Sequence, residues 1–270
     1  MGSSASKIKL TSVDDLFGTN ESPSPEDNRE KVQEIALSEL HPFKDHPFKV
    51  LDDERMQDTA QSIREHGVLV PAIVRPREEG GYELVSGHRR KRGSELAGLE
   101  TMPVIVRNLD DDAATIIMVD SNIQREHILP SERAFAYKMK LDALRRQAGR
   151  PSKENAGQVD PDFDNRRSNV IVAEQAGESV KQVQRFIRLT ALTPELMDMV
   201  DEKQIAFNPA VELSYLKPEE QSQLLEAMES EQATPSLSQA QRLKKRSQEG
   251  DLSLDMMRGI MSEEKKTEAR

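Results

Sequence analysis

The chain has 270 residues, of which 32% are charged and 4% aromatic, a composition suited to about two modest, helix-rich domains and too polar for one large core. It contains no cysteine, which excludes disulfides and thiolate metal sites; no secretory leader and no apolar run of the roughly 20 residues of a membrane span is legible, so a cytoplasmic protein without a membrane partner is expected. A net charge of −10 argues against indiscriminate attraction to nucleic acid, but residues 138–188 hold eleven Lys and Arg against seven Asp and Glu and concentrate positive charge in one segment.

Residues 1–33 mix Ser, Asn, Pro and acids without sustained periodicity and read as a disordered tail with a short partner-binding segment at Ile8, Leu10, Val13, Leu16 and Phe17. His41-Pro42-Phe43 and His46-Pro47-Phe48 form a pseudo-repeat whose prolines favour extended or turn backbone. With no cysteine and no third ligand, an ordered loop packing both phenylalanines is expected rather than a metal site. Asp52 or Asp53 caps a helix carrying Met56, Ala60 and Ile63 on one face, and Gly67 stops it. Residues 68–70 and 72–74 then read as strand, 78–81 as a turn and 82–85 as the returning strand.

That strand runs through Ser86 and Gly87 into His88, Arg89, Arg90, Lys91 and Arg92. Gly87 permits a tight turn at positive φ, and the residues after it have the composition of a first helical turn whose free N–H groups face an anion. Two readings stand: a phosphate site, or a solvated basic face without a ligand. A short helix from His88 to Ala97, a strand over 102–107 and a helix capped by Asp110 and carrying Ala113, Ile116, Ile117 and Ile123 complete a small α/β domain. The last helix ends in a second polar cluster, Asp120, Ser121, Asn122, Gln124, Arg125 and Glu126, whose amide, guanidinium and carboxylates suit a polyphosphate with its metal.

Pro130 and Ser131 begin a long helix with Ala134, Tyr137, Leu141 and Leu144 at core spacing. A polar connector to Asn165 follows. Residues 170–176 and 180–190, joined by Gly177-Glu178-Ser179, fit a helix-turn-helix, although a plain helical hairpin shares the spacing. Ala173 is the small inter-helix contact, and Val183, Ile187 and Leu189 or Thr190 face inward. That leaves Ser179, Lys181, Gln182, Gln184, Arg185 and Arg188 outward, with Gln and Arg able to read base edges, and Lys with the preceding Arg166 and Arg167 suited to phosphates. A basic amphipathic helix over 237–246 and one further helix within 251–261 end the pattern.

Gly-His-Arg-Arg at 87–90, Leu-Ala-Gly-Leu at 96–99, Pro-Val-Ile-Val-Arg at 103–107 and Ser-Asn-Ile-Gln-Arg-Glu at 121–126, in this order, resemble the N-terminal domain of the ParB family of chromosome and plasmid partition proteins and nucleoid occlusion proteins. The resemblance starts near Ile35 and fades after residue 245. It implies an α+β chain: tail at 1–33, α/β nucleotide-binding domain at 34–128, all-α helix-turn-helix domain at 129–232, and a C-terminal helix with polar tail at 233–270.

It also implies a CTP-dependent sliding clamp acting in plasmid or chromosome segregation, a homodimer that loads at a palindromic, centromere-like site on double-stranded DNA. Ser86, Gly87, His88, Arg89 and Arg90 then correspond to the loop holding the CTP phosphates. Ser121, Asn122, Gln124, Arg125 and Glu126 correspond to the second nucleotide motif, with Asn122 oriented to Mg2+. Relatives often use the N-terminal tail to contact a ParA-type ATPase, and the protein would be nucleoid- or plasmid-associated. His88 and Ser121 each stand where the commonest family sequence has Glu, which puts turnover in question and leaves Asp120 or Glu126 as substitutes. No separate C-terminal dimerisation domain is recognisable, so a ligand-stabilised dimer is expected. A ParB-fold enzyme (small-molecule kinase or nuclease, or a slow CTPase) and a plain helix-turn-helix transcription regulator remain open on the sequence.

Overall fold

The structure, a computed structural model, describes residues 31–125, 127–148 and 161–263, with side chains from 167 onward in the last segment. The partner-binding segment proposed for the tail, Glu126, the greater part of the connector and the polar C-terminal end lie outside the described residues. The N-terminal layer is a five-stranded sheet of β1 (Val32–Ala36), β2 (Leu40–Pro42), β3 (Ala72–Pro76), β4 (Tyr82–Ser86) and β5 (Thr101–Val106) in the order β1-β5-β3-β4-β2. β1 pairs antiparallel with β5 and β3 antiparallel with β4, while β3–β5 and β2–β4 are parallel. Strand β1 begins inside the segment read as tail, because β5 offers its free edge to Val32 and Gln33.

Alternation along the strands separates two cores. Leu84, Val74, Ala72, Met102 and Val104 bury with Ile35, Leu37 and Leu40. Val85 points to the other face and meets Phe43, Phe48, Ala114, Met118 and Val119. The His-Pro-Phe loop is therefore an ordered, packed segment, with Phe43 and Phe48 both buried.

Helix α1 (Glu54–His66) is capped by Asp53, which accepts from the Met56 N–H at 2.9 Å, and ends at Gly67 with φ 71°. It buries Met56, Ala60 and Ile63 and packs against α2 (His88–Ala97). Gly93 permits that approach, since a Cβ there would stand 2.8 Å from Ile63 Cδ1. Residues 68–70 are not strand, a correction to the sequence reading. They have no ladder partner, and Leu69 and Val70 are 77% and 62% exposed; Val and Leu raised the expectation through β propensity alone. Helix α3 (Asp111–Ile123), capped by Asp110, packs against β4 and the next helix. It buries Ala114, Met118, Val119 and Asn122 fully, while Ile116, Ile117 and Ile123 are half-buried.

Helix α4 (Pro130–Ala148) joins the sheet layer to the rest of the chain. Ala136 enters the Phe43–Phe48 core, whereas Ala134, Tyr137 and Leu141 enter an all-helical core. That core is completed by α5 (Pro161–Ala176), α6 (Val180–Leu189), α7 (Pro194–Asp201), α8 (Phe207–Leu213), α9 (Pro218–Glu231), α10 (Leu237–Glu249) and α11 (Leu254–Ser262). Helix α5 starts at Pro161 rather than near 170, so the expected connector is shorter than read: Pro at N1 favours a helix start that the acidic, polar residues behind it obscured. Helices α10 and α11 bury Ala240, Leu243, Met257 and Ile260 in the same core as the helix-turn-helix.

Candidate functional site

Strand β4 delivers Ser86 and Gly87 to the N-terminus of α2. Gly87 is left-handed at φ 114°, and a Cβ there would lie 2.8 Å from the Ala72 Cβ and 3.3 Å from Arg90 Nη2, so both conformation and space require glycine. Helix α2 has ten residues, no side-chain N-cap and no acid in its first turn. Its leading N–H groups and positive dipole end therefore have no side-chain acceptor within the helix cap.

The cations of this run are not equivalent. Arg90 donates Nη1 to the carbonyls of Val70 and Pro71, each at 2.7 Å, which pins the 68–71 loop to α2. Lys91 pairs with Glu95 at 2.8 Å, and Arg92 grips both oxygens of Asp52 at 2.9 and 2.5 Å. Arg89 has the loosest tie, 3.8 Å to Asp53, and is the guanidinium most able to turn to a ligand.

His88 is buried and stacks on His46 with ring centroids 3.7 Å apart. Its Nε2 accepts from the Phe43 N–H at 3.4 Å, which assigns the ring proton to Nδ1, a buried atom with no hydrogen-bond partner. Burial, reinforced by His46, Arg125 and Lys91, lowers the His88 pKa to about 3, and burial lowers His46 to about 4. Both imidazoles are neutral at pH 7. An uncharged N–H donor thus follows Gly87 at the start of α2.

The second motif ends α3. Asn122 is buried, with its Nδ2 donating to Met118 O at 2.7 Å and to Ser121 Oγ at 3.3 Å, which turns the amide oxygen away from its own helix carbonyls. Ser121 and Gln124 are exposed. The Arg125 guanidinium lies 5.6 Å over the Phe48 ring, and burial, followed by the positive charge of Arg89, lowers its pKa. Arg125 also bears on His46 and His88. The Gly87–Arg90 loop and the Asn122–Arg125 segment thus converge, and their cations repel one another in a partly desolvated place, a strain that a bound anion relieves. Asp120 is committed elsewhere, to the buried Lys140 of α4.

In the helix-turn-helix, Gly177 takes φ 67° at the bend, and Ser179 caps α6 by accepting from the Gln182 N–H at 3.2 Å. Ala173, Val183 and Leu189 are buried as expected. Phe186 is buried too and was missed. Its edge contact with Tyr137, centroids 5.8 Å apart, pins the reader helix to α4; the i, i+3, i+6 spacing 183–186–189 was the available signal.

Ser179, Lys181 and Gln184 are exposed, and Gln182 is half-exposed. Arg185 and Arg188 are half-exposed as well, and α8, docked beside α6, gives both of them partners. Arg185 bonds Asn208 and lies 5.0 Å over the Phe207 ring, and Arg188 donates to Ser214 O at 2.6 Å. Arg167 is exposed, and the Arg166 side chain lies outside the described residues.

An α/β layer with a glycine-led anion loop, a converging polar motif and a helix-turn-helix carried behind a shared helix defines the class. Residues 21–123 match the family model for the ParB N-terminal domain, and the chain belongs to the ParB family. It is similar to the nucleoid occlusion protein of Listeria monocytogenes serotype 4b, 31% identical over 210 residues that cover 76% of this chain and 66% of that protein. The probable chromosome 1-partitioning protein ParB of Deinococcus radiodurans is 34% identical over 180 residues, 67% of this chain and 54% of that protein. The C-terminally truncated ParB from Caulobacter crescentus, complexed with CTP-γ-S, is 30% identical with a TM-score of 0.34, covering 68% of this chain and 92% of that one. The chain spans less than two thirds of the length of the two curated relatives.

Proposed function

We propose that the chain is a CTP-regulated, site-specific DNA-binding protein of the partition and nucleoid-occlusion type, acting as a homodimeric clamp on double-stranded DNA at a palindromic site. The observation that carries this reading is the convergence of the Gly87–Arg90 loop and Arg125 at an uncapped ten-residue helix N-terminus, Arg125 lying 5.6 Å over Phe48, whose ring meets His46 where it stacks on His88. The site fits a polyphosphate: the Gly87 cradle has no room for a Cβ, and His88 Nδ1 is a buried donor in want of an acceptor.

In this reading the α2 backbone N–H groups, Arg89, Arg125 and His88 Nδ1 hold phosphate oxygens, while Arg90 shapes the neighbouring 68–71 loop. Among the described residues no group of three or more His, Asp or Glu could hold a metal. Mg2+, which commonly binds through substrate phosphates with few protein ligands, would be held by the phosphates with the Asn122 amide oxygen. When bound it neutralises phosphate charge. Asp120 is tied to Lys140, so these residues suit binding better than hydrolysis, and turnover is expected to be slow.

The same α3–α4 unit leads to the DNA module. Arg133 of α4 bonds Glu178 of the turn at 3.1 Å and lies 5.2 Å over Phe186 of α6, so a shift at the second motif has a packed route to the reader. Contact of residues 1–33 with a ParA-type ATPase, and association with a nucleoid or plasmid, belong to the same reading. Calorimetric titration with CTP, ATP, GTP and UTP in Mg2+ is the test. CTP should bind, and Arg89→Ala should weaken it about tenfold or more, a charge-assisted contact being worth roughly 1.5–3 kcal/mol. Preferential ATP binding with phosphoryl transfer would favour the enzyme, and DNA binding with no nucleotide bound would favour the plain regulator.

A further inference from the structure

We propose that Tyr215 and Lys244 form a second contact for the phosphate backbone of double-stranded DNA, outside the helix-turn-helix. The inference rests on the DNA-binding reading and extends its footprint to the turn after α8 and to α10.

The outward stripe of α6 follows the helical period through Lys181, Gln184 and Arg188. At the C-terminal end of that stripe a cation should meet the backbone as the helix leaves the groove. Arg188 stands there, but two of its five N–H donors are turned inward: Nη2 donates to Ser214 O at 2.6 Å and Nε to Ser214 Oγ at 3.2 Å. What the surface presents in its place is the Tyr215 ring, 42% exposed, with the Arg188 guanidinium 4.2 Å and the Lys244 ammonium 3.7 Å from its centroid.

Three elements distant in sequence thus bring two cations onto one solvent-exposed aromatic beside the reader. Lys244 also pairs with Glu212 at 2.8 Å, and counting Arg188 and Lys244 against Glu212 leaves the cluster positive. Lys217, two residues after Tyr215, and Lys245, next to Lys244, have side chains 64% and 76% exposed and pair only loosely, with Glu220 at 3.7 Å and Glu249 at 3.8 Å. A purely structural staple of α6, α8 and α10 would account for the buried stems. It would not call for an exposed phenol in a chain with three tyrosines. A Tyr hydroxyl donates to a phosphate oxygen, and an ammonium adds a charge that reads no sequence. The ligand is therefore backbone phosphate and not a base edge.

The test is fluorescence anisotropy of the full chain with a labelled random-sequence duplex, and with a duplex the protein enriches from a random pool, between about 50 and 200 mM salt. Lys244→Gln should weaken both duplexes alike, about three- to tenfold at low salt, and should reduce the slope of log K against log salt by about 0.9. Tyr215→Phe keeps the ring and its cation contacts but loses the hydroxyl; it should weaken both duplexes about threefold with an unchanged melting temperature. Glu212→Gln, which releases Lys244, should tighten both. An unchanged slope for Lys244→Gln beside a lowered slope for Lys181→Ala would overturn the second contact alone. Failure of the wild-type chain to bind either duplex would instead overturn the DNA-binding reading beneath it.

Discussion

At the scale of single residues, the stacked pair of His88 and His46 makes the stability of the fold depend on pH. Stacked and buried, they have folded-state pKa values of about 3 and about 4 against the ordinary 6.5. For a base whose pKa is lowered by folding, the unfolded chain binds more protons between the two values. The contribution of these imidazoles to stability is therefore complete above pH 6.5 and lost as pH falls toward 4. Thermal unfolding followed from pH 7.5 to pH 4.5 should show a falling melting temperature beyond that of general acid destabilisation. His88→Gln, which removes one titrating group, should flatten the profile; the same slope in that variant would show that these rings are not the linked groups.

At the scale of elements, α3 and α4 are joined through Asp120 and Lys140. Lys140 is 1% exposed, while the Asp120 side chain is 40% exposed, so the pair is only half desolvated. Breaking a fully buried pair costs roughly 3–5 kcal/mol, and solvent at Asp120 reduces this to about 1–3 kcal/mol for Lys140→Ala. Lys140→Met, which keeps the stem packing, should recover part of that loss. Denaturant titration checks both. Because the pair ends at the segment proposed as the second nucleotide motif, Lys140→Met should also change CTP affinity, whereas Lys217→Met, at the N-cap of α9, should not.

The reader element makes a separate prediction. Gln184→Ala should lower discrimination between enriched and random duplex by about 1–3 kcal/mol, the worth of one good base contact. Arg167→Ala should weaken both duplexes equally. Equal losses on both duplexes for Gln184→Ala would mean that α6 is oriented differently on DNA.

For the whole molecule, the expected linkage is between ligands and pairing. CTP and DNA that bind the paired state more tightly must shift the chain toward it, and two DNA half-sites raise the local concentration of protomers. Sedimentation should find a monomer or weak dimer alone, and pairing through the α/β layer when CTP and the enriched duplex are both present. A tight dimer at nanomolar concentration without either ligand would contradict this scheme, and so would a monomer under every condition.

Local signals were sufficient for much of this. Asp53, Asp110 and Ser179 at helix starts, Gly67 and Gly177 at bends, and the strand-glycine-cation run at 82–92 act within a few residues of themselves, so the sequence alone determined α1, α2, α3, the Gly87 turn and the α5–α6 bend. The ordered motifs at 87–90 and 121–126 likewise determined the family. Partnership across the fold was not legible in this way. Residues 68–70 lack a ladder neighbour, and Arg90, Arg185 and Arg188, alike in sequence to Arg89, are drawn to carbonyls and side chains of distant elements. The stacking of His88 on His46 joins residues 42 positions apart. Which cations stay free, and which carboxylates are spent, is decided by packing, because a charged side chain goes to the partner that burial brings within reach and no local pattern encodes that partner.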